Sequence, residues 1–496
     1  MSNREGAVAH WRRALGDERV RTDPQVLAGL LRNTSEFAPR EIVAELRPGS
    51  VEQVVAAVRV AREHGVPLYP YSKGKNWGLG SKLPPRDGCA LLDLGGLDQI
   101  RAVDVRRHYA VVEPGVTPRQ LSEHLRANDL PLRLNVTGSS LRSSLVGNVM
   151  ERGTGFHKQR TEDLRGVEAV LGTGDLVRTG FWSDEPAGRE IHHYRYGIGP
   201  YLDGLFTESN LGVVTAVVLD LLPAQDETRL LMFTFDHASL PAVVDGVSRL
   251  FGNGMLRSIV HMFNDKRIST VSADPSPPMW TGVTSVQGTA AYVAFAMPEL
   301  ERALSGYGAA CHFLSEAEAT APGADPMLAG MFRLHSGVPD DVFLHGLYNT
   351  LGEVGQVDDV DAVDESRHGM LACLPIIPMD GATVADALSL VDSVCQRYDL
   401  TPAVAVNPID GDCLESVINV YFDRRVPEQV ARAQACNRKL HETLLAEGFR
   451  FYRADIENMR LLMDDKAPFW RTVRLLKGAL DPDGILAPGR YCPEGD

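Results

Sequence analysis

A loop at residues 72–81 combines small and basic side chains in a pattern that suits binding of a charged ligand. It follows the apolar segment VPLYPYS and reads Ser72-Lys73-Gly74-Lys75-Asn76-Trp77-Gly78-Leu79-Gly80-Ser81. Small residues allow backbone N–H groups to approach a ligand closely, and successive N–H groups can replace the hydrogen bonds that a buried phosphate loses. The loop therefore predicts an anion cradle to which Lys73 and Lys75 add charge. A solvated turn with two surface lysines is the alternative interpretation.

The segments around this loop predict an α+β unit. Residues 51–64 carry apolar side chains at helical spacing, Gly65 ends that helix, and VPLYPYS reads as a strand. Further strand patterns follow, with Gly-Thr-Gly-Asp at 172–175 as a hairpin turn between two apolar runs. The apolar segment at 211–223 closes the unit. The loop is thus expected at the end of a strand within a mixed sheet.

From about residue 224 the sequence changes character, because strands alternate with helices and no glycine-rich loop recurs. A chain of 496 residues exceeds what one hydrophobic core usually organises. We therefore predict a first, ligand-binding domain at 1–222, a cap or substrate domain at 223–446, and a C-terminal segment at 447–496 that returns to the first domain.

Composition excludes several classes of protein. The formal net charge is −15 with scattered acidic residues, which argues against a nucleic-acid partner. The first twenty residues lack the apolar core of a secretory signal, and no apolar run of about 18 residues could span a membrane. Seven dispersed cysteines without a CxxC motif fit reduced thiols. We expect a cytoplasmic protein with no membrane partner.

Five ordered sequence blocks resemble one known family of flavoenzymes. They are YPYSKGKNWGLGS, LLDLGGLDQI, VVEPGVTPRQL, VGNVMERGTGF and YGIGPYLDGLFTESNLGVVT, and the tail segment ALDPDGILAPGRY resembles the closing motif of the same family. The family is that of vanillyl-alcohol oxidase and p-cresol methylhydroxylase. The resemblance implies an α+β, two-domain flavoprotein, with an FAD-binding domain of the p-cresol methylhydroxylase type and a cap domain built on an antiparallel sheet.

The resemblance also implies which residues contact FAD. Besides the cradle, Gly147 and Asn148, the segment that ends at Val214, and Arg490 correspond to flavin contacts of the family, and a cation such as Arg490 near the flavin ring stabilises its reduced anion. A tight turn, a core strand and an exposed tail arginine are the alternative interpretations of these positions. The cofactor-binding residues expected are Ser72, Lys73, Gly74, Lys75, Asn76, Gly78, Leu79, Gly147, Asn148, Val214, His368 and Arg490.

In this family a Tyr-Arg pair, here Tyr452-Arg453, holds the oxygen of a para-substituted phenol. Phenol has a pKa of about 10, and a cation together with a hydroxyl donor favours the phenolate. The phenolate pushes electrons toward the para position, and a hydride can then leave to flavin N5 from the substituent carbon attached there. Packing of Tyr452 and a surface ion pair of Arg453 form the alternative interpretation. Alternation along a regular strand would send the two side chains to opposite faces, so a bend or strand end is needed for both to reach a ligand.

The sequence departs from the family at three catalytic positions. Leu79 stands where the family has a tyrosine that binds phenolate, and residues 135–140 contain no carboxylate where the alcohol oxidases carry an acid. Glu415 and Ser416 stand where relatives carry paired histidines, so Glu415 is either a replacement base or an exposed strand residue. We expect a substrate other than a simple 4-alkylphenol.

The sequence is compatible with either covalent or non-covalent attachment of the flavin. The family's tether is a Tyr or His, and no tyrosine lies between Tyr348 and Tyr398. His368 lies near the His position but two residues out of register, so non-covalent binding is the alternative. The pair His192-His193 lacks further residues at metal-ligand spacing, and we expect no metal site.

These expectations together describe an FAD-dependent oxidase that transfers a hydride from a carbon next to a phenol, hydroxyl or amine. The partners would be a small-molecule substrate and O₂ or another electron acceptor. A dehydrogenase with a protein acceptor and a redox-inactive flavin-binding protein or cyclase are the alternatives. The sequence leaves a homodimer open.

Overall fold

A computed structural model describes residues 3–182, 191–272, 274–352 and 359–493. Within these residues the chain forms three main β-sheets flanked by helices, which is the α+β class predicted from the sequence. No helix in the described part of the chain combines the length and apolar character needed to cross a bilayer.

The first sheet has four strands in the order β1-β2-β4-β3. Strand β4 lies parallel to both β2 and β3, whereas β1 pairs antiparallel with β2. The strands are β1 (Val20–Arg21), β2 (Ile42–Leu46), β3 (Leu68–Tyr71) and β4 (Cys89–Asp93).

The second sheet has five antiparallel strands in the order β5-β6-β10-β8-β9, and a short pair β11-β7 lies apart from it. The strands are β5 (Ile100–Asp104), β6 (Tyr109–Val112), β7 (Leu132–Arg133), β8 (Leu164–Val170), β9 (Leu176–Arg178), β10 (Val213–Asp220) and β11 (Leu222–Pro223). The predicted turn at 172–175 lies between β8 and β9, so that hairpin is confirmed.

The third sheet has eight antiparallel strands in the order β15-β12-β14-β13-β17-β18-β16-β19. The strands are β12 (Glu227–Phe235), β13 (His261–Asn264), β14 (Trp280–Gly288), β15 (Ala310–Leu314), β16 (His368–Pro378), β17 (Ala403–Pro408), β18 (Cys413–Asp423) and β19 (Arg450–Arg453). Strand β19 follows residue 446 and still pairs with β16. The domain boundaries at 222 and 446 remain predictions.

Fourteen α-helices lie in the described residues. They are α1 (Asn3–Leu15), α2 (Pro24–Leu30), α3 (Val51–His64), α4 (Pro118–Ala127), α5 (Leu145–Met150), α6 (Leu240–Gly252), α7 (Asp265–Ile268), α8 (Ala290–Ser305), α9 (Glu316–Ala319), α10 (Pro326–His335), α11 (Val342–Asn349), α12 (Gly381–Arg397), α13 (Pro427–Ala446) and α14 (Pro468–Leu480).

Helix α3 shows why the sequence around the cradle folds as predicted. The Ser50 side chain accepts a hydrogen bond from the Gln53 N–H at the start of the helix, and Gly65 ends it in the left-handed conformation at φ 62°. Its valines and alanines pack with the apolar strands β2, β3 and β4 in one buried cluster. The cradle loop leaves β3 directly, so this core fixes the strand end from which the loop begins.

Candidate active site

A cavity of about 440 Å³ lies between the first two sheets and one face of the eight-stranded sheet. The cradle loop, helix α5 and β10 contribute its floor, and strands β16, β18 and β19 contribute its roof. An apolar side wall comes from helix α11, with Phe343, Leu344 and Leu347. The cavity is thus built from segments that are far apart in the sequence.

Most of the predicted cofactor-binding residues line this one cavity. Gly78 and His368 are the two that do not. The predicted residues that line it are Ser72, Lys73, Gly74, Lys75, Asn76, Leu79, Gly147, Asn148, Val214 and Arg490.

The floor has the close backbone approach that a dinucleotide needs. Gly74 has φ 66°, a conformation that favours glycine. A Cβ atom at Gly147 would come within 2.7 Å of Ser72 Oγ, so only glycine leaves the space between helix α5 and the cradle open. The Ser144 side chain accepts the Gly147 N–H at 2.8 Å and fixes this end of the helix. These residues fit a buried pyrophosphate.

Gly78 supports the loop from behind. Its N–H donates to Thr34 Oγ1 at 2.9 Å, and its carbonyl accepts the Ala372 N–H at 3.2 Å. A Cβ atom at Gly78 would meet Met370 and Ala372 of β16 at 3.2 and 3.4 Å. Gly78 therefore sets how closely the loop approaches the roof.

The two lysines of the cradle are partly buried rather than solvated. Lys73 Nζ lies 3.4 Å from the Gly95 carbonyl, and Lys75 Nζ lies 3.4 Å from Asp361 Oδ1. Burial lowers the pKa of Lys75, and Asp361 opposes that effect. Lys75 is thus paired with a carboxylate, whereas Lys73 contacts a backbone carbonyl oxygen.

Tyr452 and Arg453 both line the cavity although they are neighbours in β19. Leu374 pairs with Arg453 and Pro375 pairs with Phe451, so Tyr452 is an extra residue in a β-bulge. The bulge, at the end of the strand, supplies the bend that adjacent side chains need to reach one site. Arg453 Nη2 donates to Asn76 Oδ1 at 2.5 Å and so joins the roof to the cradle.

Glu415 is buried on β18 and does not line the cavity, so it is not the exposed strand residue of the alternative interpretation. Its carboxylate accepts hydrogen bonds from Thr154 and Gln159. Burial raises the pKa of Glu415 to about 7, against the opposing effects of Thr154 and Arg453. Thr154 lines the cavity and also lowers the pKa of Tyr452, which burial raises. Thr154 therefore stands between Glu415 and Tyr452.

Arg490 is buried and lines the cavity, so the interpretation as an exposed tail arginine is wrong. It pairs with Glu151, and its guanidinium lies 5.3 Å from the centre of the Tyr491 ring. Glu208 lines the same part of the cavity, and burial raises its pKa to about 8. This end of the cavity therefore contains a cation paired with a carboxylate and a second carboxyl group whose pKa is raised by burial.

His368 lies at the start of β16, fully buried but away from the cavity lining. Its ring centre is 4.6 Å from that of Tyr348, and its Nδ1 is 3.2 Å from Ser366 Oγ.

His192 packs edge-on against Trp182 with ring centres 5.3 Å apart. Within the described residues, one group brings three metal-ligand atoms within 4.8 Å of one another, namely His10, Glu63 and His64.

Three polar residues at the other end of the roof were not found from the sequence. Asn419 and Tyr421 lie on β18 and Arg267 on α7, and all three line the cavity. Strand alternation could have placed Asn419 and Tyr421 on the face shared with Glu415. No local pattern identifies Arg267, because it comes from a four-residue helix after β13.

Comparisons with known proteins agree with this architecture. Residues 43–180 match the model of an FAD binding domain. A 1'-carboxy-chondrochloren decarboxylase from Chondromyces crocatus is 32% identical over 98% of this chain and 97% of the relative. The 4-cresol dehydrogenase (hydroxylating) flavoprotein subunit of Pseudomonas putida is 28% identical over 98% of this chain and 94% of the relative.

Two solved structures are similar along nearly the whole chain. The crystal structure of p-cresol methylhydroxylase with substrate bound has a TM-score of 0.88 and 26% identity, and the match covers 99% of this chain and 96% of that chain. A 4-ethylphenol oxidase from Gulosibacter chungangensis has a TM-score of 0.87 and 22% identity over 99% and 97%, which shows the fold alone. These matches confirm FAD as the cofactor and the predicted fold class.

Proposed function

We propose that this chain, which belongs to the vanillyl-alcohol oxidase and p-cresol methylhydroxylase family of FAD-dependent oxidoreductases, oxidises a phenol at the side-chain carbon that is attached to the ring para to the phenol oxygen. FAD, when bound, supplies the acceptor for the hydride that leaves this carbon. The observation that carries the proposal is the convergence of Tyr452 and Arg453 on one cavity through the bulge in β19.

Arg453 and Tyr452 have complementary roles toward the phenol oxygen. The Arg453 guanidinium stays charged and stabilises the phenolate by charge, and Asn76 orients it. Burial raises the pKa of Tyr452, so its hydroxyl keeps a proton that it can donate to the same oxygen. Leu79, which replaces the family's tyrosine, offers no third donor, so binding of the oxygen depends more heavily on Arg453.

Glu415 is our candidate for the base that accepts the phenol proton. The carboxylate does not reach the cavity, but Thr154 donates to it and lies beside Tyr452. A proton can therefore pass from the phenol through the two hydroxyl groups to Glu415. With a pKa of about 7, Glu415 is ionised and able to accept a proton on the alkaline side of neutrality.

A second candidate reaction couples the oxidation to loss of CO₂. The relative with 32% identity is named a decarboxylase, and its match covers nearly the whole chain. Hydride removal from the side-chain carbon attached at the para position of a phenolate leaves a quinone methide. If the next carbon carries a carboxylate, the electron pair of its bond to CO₂ restores the aromatic ring as a C=C bond forms and CO₂ leaves.

Anaerobic mixing tests the first proposal, because a phenol that is oxidised must bleach the flavin absorbance. The substrate 3-(4-hydroxyphenyl)propanoate also separates the two reactions, since oxidation with loss of CO₂ gives 4-vinylphenol and oxidation alone retains the carboxylate. Flavin that stays oxidised with every phenol tested would reject phenol oxidation.

We propose O₂ as the electron acceptor and a small molecule as the substrate. Admitting air to the reduced enzyme distinguishes an oxidase, which reoxidises rapidly and forms hydrogen peroxide, from a dehydrogenase that needs a protein acceptor.

We also propose that the flavin is bound without a covalent link, because His368 packs against Tyr348 outside the cavity lining.

A further inference from the structure

We propose that Arg267 and Tyr421 form a carboxylate-binding subsite at the end of the cavity remote from Arg453. The substrate is then a phenol whose para side chain carries a carboxylate. This inference rests on the proposed function only for the position of the phenol oxygen at Arg453. It goes further by naming the chemistry of the other end of the substrate.

Arg267 presents a charged guanidinium to the cavity without a carboxylate partner among the described residues. Its Nη1 donates to the Tyr421 hydroxyl, and its charge lies 5.2 Å from the centre of the Phe343 ring. The buried Nε has no hydrogen-bond partner. A partly buried arginine remains ionised, so an unmet Nε–H and an unpaired charge favour binding of an anion.

Each of the other cations around the cavity has either a carboxylate partner or an assigned ligand group. Arg490 pairs with Glu151, and Lys75 pairs with Asp361. Lys73 contacts a backbone carbonyl but belongs to the cradle, where the pyrophosphate supplies negative charge. Arg453 faces the proposed phenolate. Arg267 is therefore the cation for which neither a protein carboxylate nor an assigned ligand group accounts.

The hydrogen bonds of Tyr421 point to the same kind of ligand. Its oxygen accepts from Arg267 and, at 3.2 Å, from Asn419 Nδ2. Both neighbours are donors, so the Tyr421 hydroxyl proton is not used by either contact. The proton can be donated to a carboxylate oxygen, and the subsite offers that ligand a cation and a hydroxyl donor together.

The two anion-binding ends lie at opposite ends of the roof. Tyr421 pairs with Met370 across β16 and β18, whereas Arg453 pairs with Leu374 across β16 and β19. Met370 and Leu374 are four residues apart on β16, which corresponds to about 13 Å along the strand. The long side chains of Tyr421 and Arg453 shorten the distance that a ligand must span between them. Ala372 and Val417 line the roof between them. This arrangement fits a molecule with an apolar middle and an anion at each end.

Three ligands test the two ends separately on the FAD-containing protein. They are 3-(4-hydroxyphenyl)propanoate, 4-propylphenol, which lacks the carboxylate, and 3-phenylpropanoate, which lacks the phenol oxygen. Dissociation constants are measured without O₂ from the change in the flavin spectrum or by calorimetry. We expect the hydroxyphenyl acid to bind about 10- to 100-fold more tightly than 4-propylphenol, as loss of a charge-assisted hydrogen bond predicts.

Arg267→Met should reduce this ratio of dissociation constants to about one, and Arg267→Lys should restore part of it. Tyr421→Phe should lower the ratio by up to about tenfold. Lys266→Met is the matched control, because it removes a positive charge from the adjacent, exposed position of α7 and should leave the ratio unchanged.

An unchanged ratio in Arg267→Met, or a wild-type protein that binds both ligands equally, would overturn the subsite. So would loss of FAD from Arg267→Met, since Arg267 would then hold the cofactor. A different result bears on the proposed function: if 3-phenylpropanoate binds as tightly as the hydroxyphenyl acid and no phenol reduces the flavin, the phenol site fails while the carboxylate subsite stands.

Discussion

The floor and the roof of the cavity are built in different ways. The floor uses backbone groups from short, continuous segments, where Gly74 and Gly147 provide space and Ser144 fixes a helix end. The roof uses side chains from β16, β18 and β19, whose sequence positions extend from 368 to 453. A ligand common to a whole family can be held by backbone geometry, whereas a particular substrate requires particular side chains. We therefore expect floor substitutions to remove FAD and roof substitutions to alter reactivity while FAD stays bound.

The largest effect expected is the loss of FAD in Gly147→Val. A side chain there meets Ser72 Oγ, which a Cβ atom alone would approach to 2.7 Å, and so closes the space beside the cradle. Absorbance of flavin relative to protein should fall from about one FAD per chain to near zero. Gly478→Val is the control, because a Cβ atom at that position has nothing within 4 Å. Full FAD content in Gly147→Val would contradict the assignment of the floor.

Arg453→Ala tests the roof and should retain FAD. The loss of one charge-assisted hydrogen bond, of about 1.5–3 kcal/mol, should slow flavin reduction by a phenol by at least about tenfold. Arg453→Lys should recover little, because a point charge does not reproduce a planar guanidinium. Arg450→Ala changes an exposed arginine of the same strand and should reduce at the parent rate. Equal rates in Arg453→Ala and the parent, with FAD bound, would return Arg453 to a packing role.

The pH dependence of flavin reduction tests the proposed base. Burial raises the pKa of Glu415 to about 7, so the group is neutral below that pH and ionised above it. Since only the ionised form accepts a proton, reduction by a phenol should slow by about tenfold at one pH unit below the pKa and level off above it. Glu415→Gln should lose this inflection. The same inflection in both proteins would assign it to another group, with Glu208 next to be tested because burial raises its pKa to about 8.

The smallest effect is expected from His368→Ala. Acid precipitation should leave flavin in the supernatant of both the parent and this variant, because His368 packs against Tyr348 and does not line the cavity. The measurement is the flavin fluorescence of the pellet and of the supernatant after acid precipitation. If flavin stays in the pellet of the parent protein and is released in His368→Ala, the roof holds the cofactor through a covalent bond. That result would contradict the assignment of cofactor binding to the floor alone.

The predictability of each region follows from how local its determinants are. Helix α3, strand β3 and the hairpin at 172–175 were predictable because caps, glycines and apolar spacing lie within a few residues of each other. The cradle and the Tyr452-Arg453 pair were found through ordered motifs. Both lysines of the cradle proved less exposed than a solvated turn implies.

The remainder of the site depends on contacts that no short segment contains. The bulge that turns both Tyr452 and Arg453 into the cavity is a property of the pairing between β16 and β19. Arg267 reaches the cavity from a short helix and contacts Tyr421, which lies 154 positions later in the sequence. The burial of Glu415 likewise depends on Thr154 and Gln159 from the other half of the molecule. Spacing within one segment cannot reveal such partners.

The late part of the chain contacts both halves of the cavity. Strand β19 completes the roof sheet, and Ile485 and Ala487 form backbone hydrogen bonds with Leu68 of β3, the strand that precedes the cradle. During synthesis, the early strands leave the ribosome long before these partners exist. The nascent first half therefore carries an unfinished cofactor site, and we expect FAD to be captured only after chain elongation has passed residue 490. Cofactor binding would then act as a checkpoint on complete folding rather than as an early folding nucleus.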